Sequence, residues 1–252
     1  MNLLIDLQYF PSVILFKIIN KTSNVVFEQY DFYQKMSFRN RCTIAGAQGP
    51  VHLSIPLEKG RDQKTLMKDV RIAGTRKWQD QHWKALLASY SRSPWFDYYR
   101  DSLESLYHKS FDFLMDWDLA CFEWSLGALA WPVETTLTEA YRKDHGEGWL
   151  DGRGKILPKN ILTGQPEQEG APAAGQLSSS AAGAAGETGR RLVSVADSWE
   201  PLRSALADPP LRYRQVFEER TGFIPHLSIL DLIFCEGKRA SSLFEGTKTT
   251  KK

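Results

Sequence analysis

The chain has 252 residues, of which 42% are hydrophobic and 12% aromatic, so it can bury a substantial core and is not disordered throughout. Lysine and arginine number 32 against 30 aspartates and glutamates, which gives a net charge of +2. This near-balance excludes a strongly basic nucleic-acid coat and an acidic tail protein, and we expect no nucleic-acid partner because little counterion release would drive binding.

The cysteines and the N-terminus bear on the compartment. Cys42, Cys121 and Cys235 are widely separated and form no CxxC pair, which argues against a disulfide framework and against a zinc site. Residues 1–16 contain no basic n-region and Asp6 interrupts their apolar run, so we expect no signal peptide. No transmembrane segment is expected either, since no run of 18 uncharged apolar residues occurs. We therefore expect a cytoplasmic protein; no metal is expected, and the cofactor is left open.

The first elements in the chain predict a βαβ unit. Residues 2–7 form an apolar run typical of a buried strand, Pro11 suits the first turn of a helix that continues to about Ile19, and residues 24–28 are rich in β-branched side chains. A strand, a helix and a strand within about thirty residues predict a parallel pair.

A β-hairpin is predicted next. Residues 41–44 lead into the turn sequence AGAQGP, after which Val51, Leu53 and Ile55 alternate with polar residues. Residues 69–72 are expected to add a further strand.

Helical periodicity begins at Arg76. Three aromatic-rich stripes predict helices over about 76–90, 95–106 and 111–129, the last ending near Pro132. Their rings are expected to form the core, with one exposed ring left open as a ligand-stacking group. Residues 226–234 predict a last amphipathic helix, with Asp231 on its polar or half-buried side and Gly237 as its C-terminal cap.

One segment departs from this pattern. Residues 164–190 are dominated by Gly, Ala and Ser and carry almost no large apolar side chain, so we expect a disordered insert. We predict one discontinuous α/β domain over 1–163 and 209–246, a connecting segment over 191–208 and a disordered tail over 247–252. Its βαβ unit and hairpin would pack with the aromatic-rich helices, and its C-terminal helix would return to the same core.

No P-loop, GxGxxG, HExxH or GxSxG motif occurs, so the sequence does not declare a reaction by itself. The richest polar cluster consists of Lys35, Arg39, Asn40 and Arg41. Guanidinium groups bind phosphate or carboxylate through paired donors, so this cluster predicts a site for an anionic small molecule, with an ordinary solvated loop as the alternative.

Proton carriers are harder to assign. His52, on the polar face of the hairpin, and Asp231 are the candidate catalytic residues, while His82 is a further histidine able to act near neutral pH. A structural role is the alternative for each histidine. The spacing of His226, Ser228 and Asp231 on one helix does not align a catalytic triad.

The chain resembles the WbqC-like family through three blocks of residues. The first block is Tyr9-Phe10-Pro11. The second comprises Lys35, Arg39-Asn40-Arg41, the hairpin ending LSIPL at residues 53–57, the helix over 78–90 and the turn over 93–96. The third comprises residues 213–217, Phe223, Pro225, the LSILDL segment at 227–232 and Gly237.

Two departures mark the chain as similar to compact, Bacteroidetes-type members. Asp6 and Leu7 stand where longer members have a Gln-Pro pair, and the Gly/Ala/Ser-rich insert replaces a further α/β segment. The resemblance implies a bacterial protein of surface-polysaccharide (O-antigen) synthesis and a transferase acting on an activated sugar or on an acyl or aminoacyl donor. The alternative is a non-catalytic binding or scaffold protein of an envelope-assembly complex, with a protein partner.

Overall fold

A parallel sheet, a hairpin and a helical layer share one hydrophobic core in the computed structural model, which describes residues 1–60, 62–74, 76–163 and 200–245. This architecture confirms the predicted α/β class. The predicted insert at 164–190 and tail at 247–252 lie outside the described residues, as do residues 191–199 of the predicted connecting segment.

The βαβ unit is formed by β1 (Asn2–Ile5), α1 (Val13–Ile19) and β2 (Asn24–Phe27). β1 and β2 pair in parallel, with Asn2 opposite Asn24, which confirms the prediction. Helix α1 is buried along its whole length and belongs to the same core as β1 and β2.

Two strands that the sequence did not predict complete the sheet. β5 (Glu134–Leu137) pairs with β2 and β6 (Trp149–Asp151) pairs with β1, both in parallel, so the strand order is β5-β2-β1-β6. β5 is mostly exposed and β6 has three residues, so neither carries the apolar pattern that marks a buried strand.

The predicted hairpin consists of β3 (Arg41–Gly46) and β4 (Gly49–Ser54), with Gly46 opposite Gly49. One face carries the buried side chains of Cys42, Ile44 and Leu53. A Cβ atom added at Gly46 would lie 2.6 Å from Val51 Cγ2, so a side chain there would clash with the opposite strand.

The aromatic stripes form α2 (Lys77–Tyr90), α3 (Phe96–Tyr107) and α4 (Leu114–Leu129). Most of their rings pack in the core, and Trp117 is fully buried among four other aromatic residues. None of the described helices combines the length and the apolar character needed to cross a bilayer.

The prediction of a strand over residues 69–72 is wrong. Met67–Asp69 form a 3₁₀ turn, and the residues after it make only isolated bridges, Arg71 with Phe113 and Ile72 with Leu57. The apolar residues Val70 and Ile72 are buried, but among the described residues no neighbouring strand lies alongside to extend these bridges into a ladder.

The C-terminal part contains α5 (Pro158–Thr163), α6 (Glu200–Ala207), α7 (Glu218–Thr221), α8 (Ile229–Glu236) and α9 (Ala240–Glu245). Helix α8 starts later than predicted because Ser228 is its N-cap, with Ser228 Oγ accepting a hydrogen bond from the Leu230 amide. The Ser228 amide donates to Thr43 O, and the Ile229 amide donates to Pro11 O. These bonds return the C-terminal helix to the hairpin and the βαβ unit, as predicted.

Candidate functional site

The carboxyl ends of the four parallel strands meet at one edge of the sheet, which we call the carboxyl edge. Asp6 follows β1, Glu28 follows β2, Thr138 follows β5 and Gly152 follows β6. The chain runs outward from β1 to β2 and β5 and then returns to the other side of β1 at β6. In open α/β sheets, ligands bind at the carboxyl ends of the strands where the order reverses, which places the candidate position between β1 and β6.

Arg39 ties the loop after β2 to this edge. Its Nη2 donates to Asp6 Oδ1 at 2.7 Å and to Asp31 Oδ2 at 3.3 Å, and its Nη1 donates to Phe32 O. Burial by itself lowers the pKa of the guanidinium, but the two carboxylates outweigh it and raise the pKa above the ordinary value. Arg39 is 2% exposed, so its charge is used within the fold.

Asp6 is held from the other side as well. Its Oδ2 accepts a hydrogen bond of 2.7 Å from the Gly154 amide, which belongs to the loop after β6. A Cβ atom at Gly152 would lie 3.1 Å from Ile5 Cδ1, so the loop approaches β1 closely. Asp6 therefore joins the loops after β1, β2 and β6 at the point where the strand order reverses.

A second ion-pair network lies between β2 and β6. Arg153 Nη1 is 3.0 Å from Glu28 Oε2, and Arg153 Nη2 is 2.6 Å from Asp151 Oδ2. The Glu28 side chain is fully buried, and its Oε1 also accepts from the Tyr30 amide and the Thr138 hydroxyl. The carboxyl edge is thus fixed by buried, multiply bonded charges.

Asn40 connects this edge to the hairpin. Its Oδ1 accepts from the Tyr33 hydroxyl at 2.9 Å, and its Nδ2 donates to Ile55 O at 2.9 Å. The amide oxygen and the amide nitrogen of Asn40 are therefore both bonded within the fold, and they fix the start of β3 at Arg41.

Arg41 and His52 lie on one exposed face of the hairpin. Arg41 is opposite Ser54 and Thr43 is opposite His52, and residues two apart on a strand share a face. Arg41 Nε donates to Ser54 Oγ at 3.3 Å, and Thr43 Oγ1 is 3.0 Å from His52 Nδ1. We call Arg41, Thr43, His52 and Ser54 the hairpin face; among the described residues its hydrogen bonds use Nε of Arg41 and Nδ1 of His52 and do not involve Nε2 of His52.

Lys35 belongs to the loop that Arg39 anchors. Its Nζ is 2.6 Å from Asp62 Oδ1, and both side chains are about 60% exposed. An exposed ion pair of this kind contributes little to stability, so a ligand can replace Asp62 at low cost.

Asp231 was expected on the polar or half-buried side of its helix, but it is fully buried. Its Oδ1 accepts from the Tyr90 hydroxyl and its Oδ2 from the Tyr213 hydroxyl, both at 2.8 Å. Burial raises the pKa of Asp231 to about 6, although the two tyrosine hydrogen bonds lower it. Tyr90 also accepts from the Ala45 amide, so Asp231 reaches β3 from the buried side, away from the hairpin face.

A buried hydrogen-bonded chain runs under the hairpin. The Tyr9 hydroxyl is 2.6 Å from the Tyr107 hydroxyl and 2.9 Å from His82 Nδ1, and His82 also bonds the backbone of Ser54. Burial lowers the pKa of His82 to about 4, so the imidazole is neutral at pH 7 and its Nδ1 shares one hydrogen bond with the Tyr9 hydroxyl. His82 thus supports the hairpin from inside.

The sequence reasoning missed Asp6, Glu28 and Arg153. A usable signal existed for the first two, because each is an acidic residue in the last two positions of a predicted strand. Arg153 gave no such signal, since β6 was not predicted. Within the described ranges, no group of three or more His, Cys, Asp and Glu side chains is arranged to hold a metal ion.

Taken together, these contacts define an α/β protein with a charged, internally bonded carboxyl edge and a polar hairpin face beside it. The family model of the WbqC-like protein family matches residues 8–156, more than half of the 252 residues, and the chain belongs to that family. The match includes the Tyr9, Arg39 and hairpin blocks, while the block after residue 213 lies beyond it. No curated protein and no solved structure matches the chain.

Proposed function

We propose that this WbqC-like protein is a cytoplasmic bacterial transferase of surface-polysaccharide (O-antigen) biosynthesis, acting on an activated sugar or on an acyl or aminoacyl donor. The donor is the anionic small molecule, and the phosphate or carboxylate it carries is bound by Lys35 and Arg41. Arg39 and Asn40 hold these two residues in place.

The observation that carries the proposal is the shared face of Arg41 and His52. A donor whose anionic group binds the Arg41 guanidinium lies beside the histidine of that face, and Thr43 fixes the His52 ring through Nδ1. A cation that holds the donor and a base that meets the acceptor are the two groups a transfer reaction needs.

The chemistry follows from this placement. The acceptor oxygen or nitrogen forms a bond to the anomeric or carbonyl carbon of the donor while the bond to the nucleoside diphosphate or thiolate breaks. The acceptor proton passes to Nε2 of His52. Asp231 stays the second predicted proton carrier, but since its oxygens are occupied by Tyr90 and Tyr213, we expect His52 to be the group that meets the acceptor.

Calorimetric titration with UDP-N-acetylglucosamine and with acetyl-CoA tests the binding step. We expect one of these donors to bind, with Arg41→Ala and Lys35→Ala each weakening it and Arg92→Ala, an exposed arginine between α2 and α3, leaving it unchanged. His52→Ala should keep the donor affinity and lose the acceptor-dependent release of UDP or of the CoA thiol. Equal affinities in all four variants, or no binding of either donor, would contradict the proposal.

A specific observation favours the alternative of a non-catalytic binding protein. Phe32 and Met36 flank Lys35 in sequence and are each 59% exposed, although both are large apolar residues. Such side chains are typical of protein contact sites when they occur together. Donor binding without any release of product, together with a stoichiometric partner that Phe32→Ser abolishes, would favour this second function.

A further inference from the structure

A cavity lies between the start of α2 and the end of α3, apart from the residues of the carboxyl edge and the hairpin face. Its volume is about 170 Å³. It is lined by Arg76, Gln79, Asp80, Trp83, Tyr107 and His108. At roughly 30 Å³ per water this is room for about six water molecules, which suits one small ring and not a whole nucleotide.

The cavity has a rigid wall. Gln79 Nε2 donates to Tyr107 O at 2.9 Å and to Lys109 O at 2.8 Å, and an Arg76 Nη donates to His108 O. These bonds satisfy carbonyls at the end of α3 and fix the start of α2 against it. A ligand therefore meets a preformed surface.

One side of the cavity is aromatic. Trp83 is half-buried, and its ring is held between Phe96 and Tyr107, with centroid distances of 6.1 Å and 5.9 Å. Because the ring is packed on the protein side, it is an ordered platform on which an apolar face can stack.

The polar groups at the rim retain bonding capacity. Across the described ranges, the exposed Asp80 carboxylate has no hydrogen bond or ion pair, and Trp83 Nε1 has no acceptor. Arg76 uses one terminal nitrogen on His108 O and keeps its other donors. The rim thus offers acceptors at Asp80 and donors at Arg76 and Trp83.

The charges select an uncharged ligand. Arg76 and Asp80 offset each other, and the negative end of the α3 dipole is offset by the positive end of the α2 dipole, so neither sign of charge dominates the cavity. A purely apolar ligand would leave the rim groups unpaired at a cost. A sugar ring fits the uncharged, partly polar and partly aromatic lining of the cavity. Its hydroxyls donate to and accept from the rim groups, and its C–H face is apolar and can stack on Trp83.

We propose that this cavity binds a single uncharged pyranose ring, with Trp83 as the stacking platform and Asp80 and Arg76 as hydrogen-bonding partners. The inference does not rest on the proposed transfer activity, since it shares no residue with the donor site. It adds a second, sugar-binding position on the helical side of the molecule.

Saturation-transfer difference NMR with the methyl glycosides of glucose, galactose, mannose and N-acetylglucosamine tests it on the full chain. We expect at least one glycoside to receive saturation, strongest on the C–H protons of one ring face. Asp80→Ala should weaken its affinity by about tenfold or more, the value of a lost hydrogen bond to a charged group. Asp97→Ala, which removes an exposed carboxylate from the first turn of α3, is the matched control and should change nothing.

A second variant tests the stacking role of Trp83 without removing an aromatic ring from the fold. Trp83→Phe keeps a stacking ring in a smaller volume, so it should retain weakened binding and a native thermal transition. Saturation of none of the glycosides, an affinity that Asp80→Ala leaves unchanged, or binding of inorganic phosphate or tetramethylammonium in their place would each overturn the proposal.

Discussion

Arg39 lies between two carboxylates, with its Nη2 2.7 Å from Asp6 Oδ1 and 3.3 Å from Asp31 Oδ2. Removing the arginine leaves Asp6 buried and without its counter-charge, so we expect Arg39→Ala to lower the free energy of unfolding by about 3–5 kcal/mol. Urea unfolding followed by circular dichroism measures the change.

Lys35→Ala is the matched control for this prediction. The Lys35–Asp62 pair is exposed on both sides, so its loss should cost less than about 1 kcal/mol. Similar losses in the two variants would show that the Arg39 network does not stabilise the carboxyl edge.

This network marks the limit of what the sequence predicted. Periodicity sufficed for β1, α1, β2, the hairpin and the three aromatic helices, because each buries one face or a continuous run. The basic segment stood out by composition, but Asp6, one of the two carboxylate partners of Arg39, is 33 residues away in the chain. The pairing of β1 with β2 and the hydrogen bond from the Tyr9 amide to Phe38 O bring Asp6 and Arg39 together, and no local pattern encodes that contact.

The site was predictable to a similar extent. Alternation along the hairpin correctly put His52 on the face opposite Leu53, and the register then placed Arg41 beside it. The burial of Asp231 was not foreseen, because it depends on Tyr90 and Tyr213, which reach it from 141 and 18 residues away. Hydrogen bonds between a carboxylate and tyrosines far away in the chain produce no periodic pattern in the sequence.

Asp118 is a buried carboxyl without a hydrogen bond among the described residues. Burial raises its pKa well above the ordinary value, so it favours folding at low pH and costs stability as the pH rises above about 4. We expect Asp118→Asn to become more stable relative to the wild type as the pH rises from 4 to 8. Urea unfolding across this range measures the difference, and Glu123→Gln, an exposed change on the same helix, should show no such trend.

His82 has the opposite dependence. Burial lowers its pKa from 6.5 to about 4, so its contribution is complete above pH 6.5 and is lost as the pH falls toward 4. The shift corresponds to about 3 kcal/mol. The stability advantage of the wild type over His82→Gln should therefore shrink by about that amount between pH 7 and pH 4. An advantage that stays constant over this range would mean that His82 does not titrate differently in the folded and unfolded chains.

Gly237, which ends α8 as predicted, has a φ of +57° and faces the indole ring of Trp95. A Cβ atom there would overlap Trp95 Cδ2, so Gly237→Ala combines the cost of a left-handed backbone with a steric clash. We expect a loss of roughly 2–5 kcal/mol, the sum of these two effects. Gly60 has a similar φ of +68°, but a Cβ atom added there would meet no atom within 4 Å, so Gly60→Ala should cost only the backbone share of roughly 1–2 kcal/mol. Urea unfolding of both variants separates the two contributions, and equal losses would show that Trp95 moves aside and that the contact does not fix the end of α8.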